Sequence, residues 1–450
     1  MLNPNALIQI SLTENRTKYW GSSIQEAVSA VRKDFPNETL KIELIGLLSQ
    51  WSHNPTPQLL YLAKSRISRS LDATYLDSLP RPNMMRIELE PSKSDNWIDF
   101  TFMDLFAGIG GFHLALASQG GSLSFASEID NSAKTTYAMN FGVVPFGDIR
   151  SFTRDSSGHP LSEKVIAKTV PPVDIIAAGF PCQPFSLAGV SSRNFHGLEH
   201  GLKCEAQGTL FEDILLVARA TKPDALILEN VRNLASHDSG RTIRVIRNEI
   251  IRAGYRIYPE WNNSKSWAVV NSLAVIAQRR KRVYMVCIRE DLAVDLENRK
   301  GPFEIPTFDT SKATHSLRDV ISQDTENTDK EKFQLYGISK KLWQGHQRRS
   351  RHHLLKNNGF RAELMTDLSK PAPTLVARYY KDGKDCLIPN KIRNVPPRML
   401  SPRECALLQT FPKKFWIPTS KTSAYKQFGN AITVEVARRI AQSLITYLYT

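Results

Sequence analysis

Apolar residues fall in two rhythms along this chain, and each predicts a different kind of element. Trp97 to Phe106, Leu123 to Ser127, Val173 to Ala178, Ala225 to Leu228 and Val283 to Ile288 are short apolar or β-branched runs, closed by glycine, proline or an acid. Runs of that length read as strands buried on both faces. Phe112 to Ala117 and Thr209 to Val217 read as helices, as does 433–449, where apolar residues recur at 434, 436, 437, 440, 444 and 445. Strands alternating with helices predict an α/β fold with a mostly parallel sheet. Residues 1–95 differ. Ser23 to Val31 is apolar at 24, 27, 28 and 31, and with Leu40 to Trp51 and Ser65 to Leu79 it predicts a small helical N-terminal extension of accessory role. Polar stretches at Pro80–Asn83 and Pro91–Asp95 read as linkers.

The chemistry gathers at the predicted strand ends. After the first strand comes Ala107-Gly108-Ile109-Gly110-Gly111, so strand, glycine loop and helix open a nucleotide-binding fold. Glu128 ends the second strand, about twenty residues past the first glycine of that loop, the spacing of a ribose-binding carboxylate. Asp148 follows a third apolar run, Val143 to Gly147. Three acid-tipped strand ends point to an adenosine-bearing cofactor without separating a dinucleotide from S-adenosylmethionine. The Val173 strand leads into Gly179-Phe180-Pro181-Cys182-Gln183-Pro184-Phe185-Ser186. A lone cysteine is commonly a core residue, but prolines at 181 and 184 stiffen this loop into a platform suited to a positioned nucleophile. The Ala225 strand ends at Glu229, which a parallel neighbour would set beside the Cys182 loop. In Gln278-Arg279-Arg280-Lys281-Arg282, alternation puts Gln278, Arg280 and Arg282 on one face.

Composition narrows the partners. A chain of 450 residues predicts two or three domains, and its formal charge of +15 favours a polyanion. The five cysteines, at 182, 204, 287, 386 and 405, lack CxxC spacing, which argues against disulfides and a zinc site and for a reducing compartment. No metal is expected. No apolar stretch approaches bilayer length and the N-terminus has no signal pattern, so a cytoplasmic protein with no membrane partner is expected.

In these residues the chain resembles the DNA cytosine-5 methyltransferases. The matching blocks are Asp104 to Gly111, Gly179 to Ser186, Glu229-Asn230-Val231, the Gln278, Arg280, Arg282 alternation, and Gln427-Phe428-Gly429-Asn430, in the family's order. A closer resemblance, to the bacterial Dcm branch, rests on Ser186 to Ser191, His200-Gly201, Gln207 to Phe211 and Ala377 to Gly383. The resemblance implies an S-adenosylmethionine-dependent, Rossmann-like methyltransferase acting on C5 of a flipped-out cytosine in a short duplex site of CC-x-GG type. Catalytic roles carry over to Cys182 as nucleophile and Glu229 as acid at the ring N3, with Arg280 and Arg282 near the base and its phosphates. Cofactor contacts carry over to Asp104, Phe106, Ala107, Gly108, Ile109, Gly110, Gly111, Glu128, Ile129, Asp148, Ile149, Pro181, Leu210, Asn430 and Ala431. Ser186, Arg280, Thr374, Arg378 and Tyr379 are the implied DNA contacts, and the polar segment 189–208 is expected to be a mobile lid.

The expected division is an accessory domain at 1–95, a catalytic domain at 96–290 completed by 423–450, and a target-recognition domain with its hinge at 291–422. Double-stranded DNA would lie in the cleft. Pro373 to Tyr380 is expected to be the recognition strand, and the basic run from Lys340 to Lys356 to meet phosphate. A monomer is expected, with a restriction endonuclease as a partner sharing its site. Two other readings remain open, an RNA-methylating relative and a silent DNA-binding regulator; a dinucleotide oxidoreductase, which the glycine loop alone would allow, is excluded by the later blocks.

Overall fold

The computed structural model describes residues 98–181, 210–259, 267–309, 315–357, 361–392 and 394–450, together with the backbone of four N-terminal strands. Those strands are β1 (Ile8–Leu12), β2 (Lys18–Gly21), β3 (Leu40–Leu44) and β4 (Gln58–Tyr61), in an antiparallel sheet of order β2-β1-β3-β4. The helix expected from Leu40 therefore begins as a strand. Leu40-Lys41-Ile42-Glu43-Leu44 alternates apolar and polar with period two, a strand signal that the wider helical window hid. The helices expected at Ser23–Val31 and Ser65–Leu79 lie outside the described residues, as do the two linkers.

The central sheet has seven strands: β5 (Phe100–Leu105), β6 (Gly121–Ser127), β7 (Ile175–Gly179), β8 (Ala225–Val231), β9 (Tyr255–Tyr258), β10 (Ala268–Asn271) and β11 (Lys281–Arg289). Its order is β10-β11-β8-β7-β5-β6, with β9 also on β11. The pairs β6–β5, β5–β7 and β7–β8 are parallel, and β11 runs antiparallel to β8, β9 and β10. Val143–Gly147, expected as a third strand, makes a single parallel bridge from Phe146 to Ser127 instead of a ladder.

Strand residues alternate between two apolar layers. Phe102, Ile175, Ala177, Ala225, Ile227, Tyr284 and Val286 face one, and Met103, Leu105, Ile176, Ala178, Leu226, Leu228, Val283 and Met285 face the other. This double burial explains the near-continuous apolar runs in the sequence. Truncating one such side chain to alanine costs about 2–5 kcal/mol.

Helices cover both faces. Those that bear on the site are α1 (Gly111–Ala117), α2 (Asn131–Phe141), α3 (Glu163–Thr169) and α4 (Leu210–Thr221). Further on come α5 (Asp329–Tyr336), α6 (Lys340–Leu355), α7 (Tyr379–Asp382), α8 (Pro402–Leu408), α9 (Lys421–Asn430) and α10 (Val434–Tyr449). The expected Ser-Pro start is found: Ser401 caps α8, Pro402 is its first residue, and Glu404 closes a capping box. The last helix, α10, returns to the sheet, with Tyr449 stacked on Phe100 and bonded to Asp224.

Between β11 and α8 the chain has little regular sheet. Residues 373–378 form no strand, which corrects the expected recognition strand; the segment is held by Ala277–Ala372 backbone bonds and a short helix, α7, after it. A buried ionic network takes the place of a ladder. Arg398 makes a two-pronged pair with Glu404 (2.7 and 2.9 Å), Lys332 lies 3.2 Å from Asp324 and 3.4 Å from Glu404, and Ser401 donates to Asp324. All four charged groups are nearly inaccessible to water.

Candidate active site

Beyond the end of β5 the chain turns sharply, with Phe106, Gly108 and Gly110 all at positive φ. Gly110 cannot be replaced without disruption: at φ +87, a Cβ there would lie 2.1 Å from the Phe141 ring. The loop is tied to the end of β6 by one carboxylate. Glu128 accepts from the Gly108 amide at 2.9 Å through Oε2 and from the Asp130 amide at 2.7 Å through Oε1. Burial raises its pKa, against the pull of those amides. The next residue, Ile129, leaves 63% of its surface exposed, while Ile149 is buried and Asp148 pairs with Arg150 at 2.7 Å. Underneath, Asp104 is 1% exposed with neither carboxyl oxygen in a well-formed hydrogen bond, and burial holds its pKa well above the usual carboxylate range.

The second half of the site lies at β7 and β8. Their parallel register sets Gly179 opposite Glu229, and a Cβ on Gly179 would come 3.7 Å from Glu229 Oε2. Glu229 is 8% exposed, and Arg282 Nε on the antiparallel neighbour β11 reaches its Oε1 at 3.1 Å. Desolvation raises the Glu229 pKa; Arg282 and Arg280 oppose it without prevailing. Asn230 does a job that the sequence did not reveal. Its Nδ2 donates to Phe180 O at 2.9 Å and fixes the backbone there, two residues before Cys182 in sequence. An Asn directly after an acid at a strand end was the available signal. Cys182, Ser186 and the expected lid at 189–208 lie outside the described residues; Pro181 is exposed and Leu210 opens α4.

The expected alternation holds: Gln278 and Arg280 are buried, Arg282 is half-buried, and Arg279 and Lys281 are exposed. Only Arg282 faces the acid. Arg280, expected at the base and its phosphates, is 2% exposed and donates to Leu375 O (2.8 Å), Gly429 O (3.3 Å) and Ala431 O (2.7 Å). Both terminal nitrogens of its guanidinium are thus taken up by main-chain carbonyls, Nε is buried without a partner, and burial lowers its pKa to about 9. Gln278 works beside it, accepting from the Leu375 amide at 2.9 Å. Together they join β11 to the 375 segment and to the turn after α9, where Asn430 and Ala431 lie. Gly429 permits this contact, since a Cβ there would sit 2.4 Å from the Val376 carbonyl. Gln427 then fastens α9 to α2 through Thr136 at 2.9 Å and Ser132 at 3.0 Å.

Among the expected DNA contacts, Tyr379 is corrected. It is fully buried, its hydroxyl donating to Cys386 O at 2.6 Å and accepting from the Leu400 amide at 2.8 Å, so no part of it is free to meet DNA. The hydroxyl of Thr374 donates to Arg279 O at 2.6 Å, and Arg378 is exposed. Among the described residues there is no His, Cys, Asp and Glu group that could hold a metal, and no helix long and apolar enough to cross a membrane.

A glycine loop tied to the Glu128 carboxylate, and a buried acid and arginine at neighbouring strand ends, give an α/β fold whose polar groups gather at one edge of the parallel sheet. Residues 100–446 match the model of the C-5 cytosine-specific DNA methylase family, and the chain belongs to that family. Its relatives include the DNA-cytosine methyltransferase of Escherichia coli K12, 33% identical over 97% of this chain and 94% of that protein. Type II methyltransferase M.DsaV of Dactylococcopsis salina is 35% identical over 77% of this chain and 86% of that one. At 97% of this chain, the E. coli match takes in most of the first 95 residues. In fold, the chain resembles a mutant DNMT2 of Spodoptera frugiperda (TM-score 0.54, 19% identity, 78% of this chain and 99% of that one).

The protein is accordingly a DNA-cytosine methyltransferase, and S-adenosylmethionine is its methyl donor. The residues present fit that cofactor. The fixed Glu128 carboxylate suits a ribose, the exposed Ile129 offers an apolar cover for an adenine ring, and the close-turned glycines leave the backbone open to approach.

Proposed function

We infer that the enzyme methylates C5 of a cytosine flipped out of a short, specific duplex site, through a covalent bond between Cys182 and C6 of the ring. The observation that carries this reading is the buried Glu229. It holds its proton more tightly than an ordinary carboxyl group and lies beside Gly179, three residues before Cys182. Cytosine C5 is a poor nucleophile until the ring is activated. The Cys182 thiolate adds to C6, forming a C–S bond, while Glu229 gives its proton to N3 and so takes up the electron pair pushed into the ring. Arg282, against Glu229, orients the carboxyl group. When bound, S-adenosylmethionine supplies an electrophilic methyl group on its sulfonium. C5, now enamine-like, would accept that methyl as its bond to the sulfonium breaks and leaves a neutral thioether; loss of the C5 proton to a base, breakage of the C–S bond to Cys182 and return of the N3 proton to Glu229 then restore the ring, the thiolate and the acid. A cytosine inside a duplex is out of reach of such a pocket, so the base must leave the stack.

The cofactor is held by the loop from Asp104 to Gly111, by Glu128, Ile129, Asp148, Ile149, Pro181 and Leu210, and by Asn430 and Ala431. In this reading 96–290 with 423–450 is the catalytic domain, and 291–422 carries recognition, with Arg378 at base edges and Thr374 and Ser186 at phosphates. The resemblance to the Dcm branch supports a site of CC-x-GG type, and the type II naming of a relative supports a restriction partner. Bisulfite sequencing of DNA from cells expressing the chain tests this directly. Protected cytosines in one short palindrome are the result expected; conversion of every cytosine defeats the proposal.

A further inference from the structure

Helix α6 has the sequence KKLWQGHQRRSRHHLL, with five lysines and arginines and no acid. At 100° per residue, Lys340, Lys341, Gln344, Arg348, Arg351 and His352 fall on one face. All six are exposed, and the four lysines and arginines among them make no ion pair among the described residues. The opposite face is the anchored one. His346 is 2% exposed and its Nε2 bonds Asp382 O at 3.1 Å, while Ser350 accepts from the Ala362 amide at 3.1 Å. Arg349 is occupied locally, donating to His346 Nδ1 at 3.0 Å.

Two features separate this face from an ordinary solvated one. Surface helices usually interleave opposite charges, which support one another at i and i+4; here four like charges are left uncompensated, at a cost to the helix. The anchor of the helix also sets its place. His346 holds it to α7, whose first flanking residue is the exposed Arg378, and the chain just before that is fastened by Arg280 through Leu375 O. A cationic face of about 17 Å, measured along the helix from Lys340 to Arg351, is thus built onto the segment that carries the recognition candidates. One DNA strand presents a phosphate about every 3.4 Å, so a face of this length can meet several.

We propose that the exposed face of α6 is a phosphate clamp, holding the backbone of the substrate duplex outside the bases that are read. This rests on the reading of duplex DNA as substrate and adds a sequence-independent grip to it. The clamp contributes affinity to target and non-target duplex alike, because phosphates carry no sequence.

The test is binding of the full chain to a labelled duplex across a salt series, for Arg348→Gln/Arg351→Gln and for a matched control, Lys164→Gln/Lys168→Gln, on the exposed side of α3. For the α6 pair, the slope of log affinity against log salt is expected to fall by about 1.8, with the same affinity loss on target and random duplexes. The control is expected to leave the slope unchanged. Equal slopes for both pairs, whether altered or not, overturn the clamp, as does an affinity loss confined to target duplex. The charge-retaining Arg348→Lys/Arg351→Lys guards against a folding artefact: it is expected to keep the slope, and its loss there would also overturn the proposal. Methyl incorporation by the unaltered chain is read in parallel. Its absence alongside a reduced slope defeats the function proposed above while supporting the clamp.

Discussion

The central sheet and the segment from about 315 to 400 are held together by different physics. The sheet is mostly apolar: its strands alternate side chains into two layers, and the acids Asp104 and Glu229 and the arginine Arg282 lie toward the strand ends. The later segment shares that apolar core through residues such as Leu317, Leu375 and Leu400, and is pinned in addition by buried polar bonds: Lys332 with Asp324 and Glu404, Gln278 with Leu375, and Tyr379 with Leu400. Arg280 and Arg282 mark the junction. Two residues apart on one face, one anchors the later segment and the other lies against the acid. The contrast indicates that chemistry and architecture can be removed separately, the first at the strand tips and the second in the buried polar bonds.

Substitutions that sharpen this contrast can be ranked. The largest effect is expected at Glu229. Replacement by alanine should lower turnover on the order of 10²–10⁴-fold with little change in melting temperature, as measured by tritiated methyl incorporation beside calorimetry. Since burial raises the Glu229 pKa, the acid form is full below the raised value and is lost as pH rises through it. Turnover should fall along that limb, and Glu229→Gln should abolish the limb. Next comes Lys332→Met, which leaves Asp324 and Glu404 with an uncompensated buried charge. A loss of about 3–5 kcal/mol in urea unfolding is expected, and an unchanged midpoint would show that the network does not hold the segment.

Arg280→Lys should be milder, because a point ammonium cannot satisfy the carbonyls of both the 375 segment and the 429–431 turn. About 1–3 kcal/mol of stability should go, with a raised KM for S-adenosylmethionine; Arg282→Lys should instead lower kcat and leave the fold. Kinetics and unfolding measured on both variants separate the two roles, and identical profiles would erase the distinction.

The smallest effects concern the groups under the glycine loop. The raised Asp104 pKa means that its contribution to stability is fully present at low pH and lost as pH rises from the ordinary carboxylate value toward the raised one. Asp104→Asn should flatten that part of the stability–pH curve. His113 has the opposite sign: burial lowers its pKa to about 3, so its contribution is present above 6.5 and lost as pH falls through that interval.

The same contrast explains what was readable beforehand. Strands buried on both faces announce themselves as apolar runs, and their C-terminal ends are where a parallel sheet gathers ligand groups, so Gly108, Glu128 and Glu229 could be placed from residue order alone. Alternation also put Gln278, Arg280 and Arg282 together, but period two cannot say whether a shared face meets solvent or core. Arg280 was placed at the base and its phosphates by the family resemblance, and its burial against Leu375 O and Ala431 O is not something alternation reports. Tyr379 failed similarly: its partners, Cys386 O and the Leu400 amide, come from outside its own local pattern. The Asn230 bond to Phe180 and the Gln427 bonds to α2 depend on chain approach, which composition does not encode.

Covalent trapping is the most direct test of the chemistry at the strand tips. A duplex carrying 5-fluorocytosine blocks removal of the C5 substituent, so the enzyme should remain bonded to the base when S-adenosylmethionine is present. Mass spectrometry of the digested complex should place the adduct on the peptide containing Cys182, and Cys182→Ala should yield none. An adduct on another residue, or methyl transfer that persists in Cys182→Ala, would contradict the mechanism.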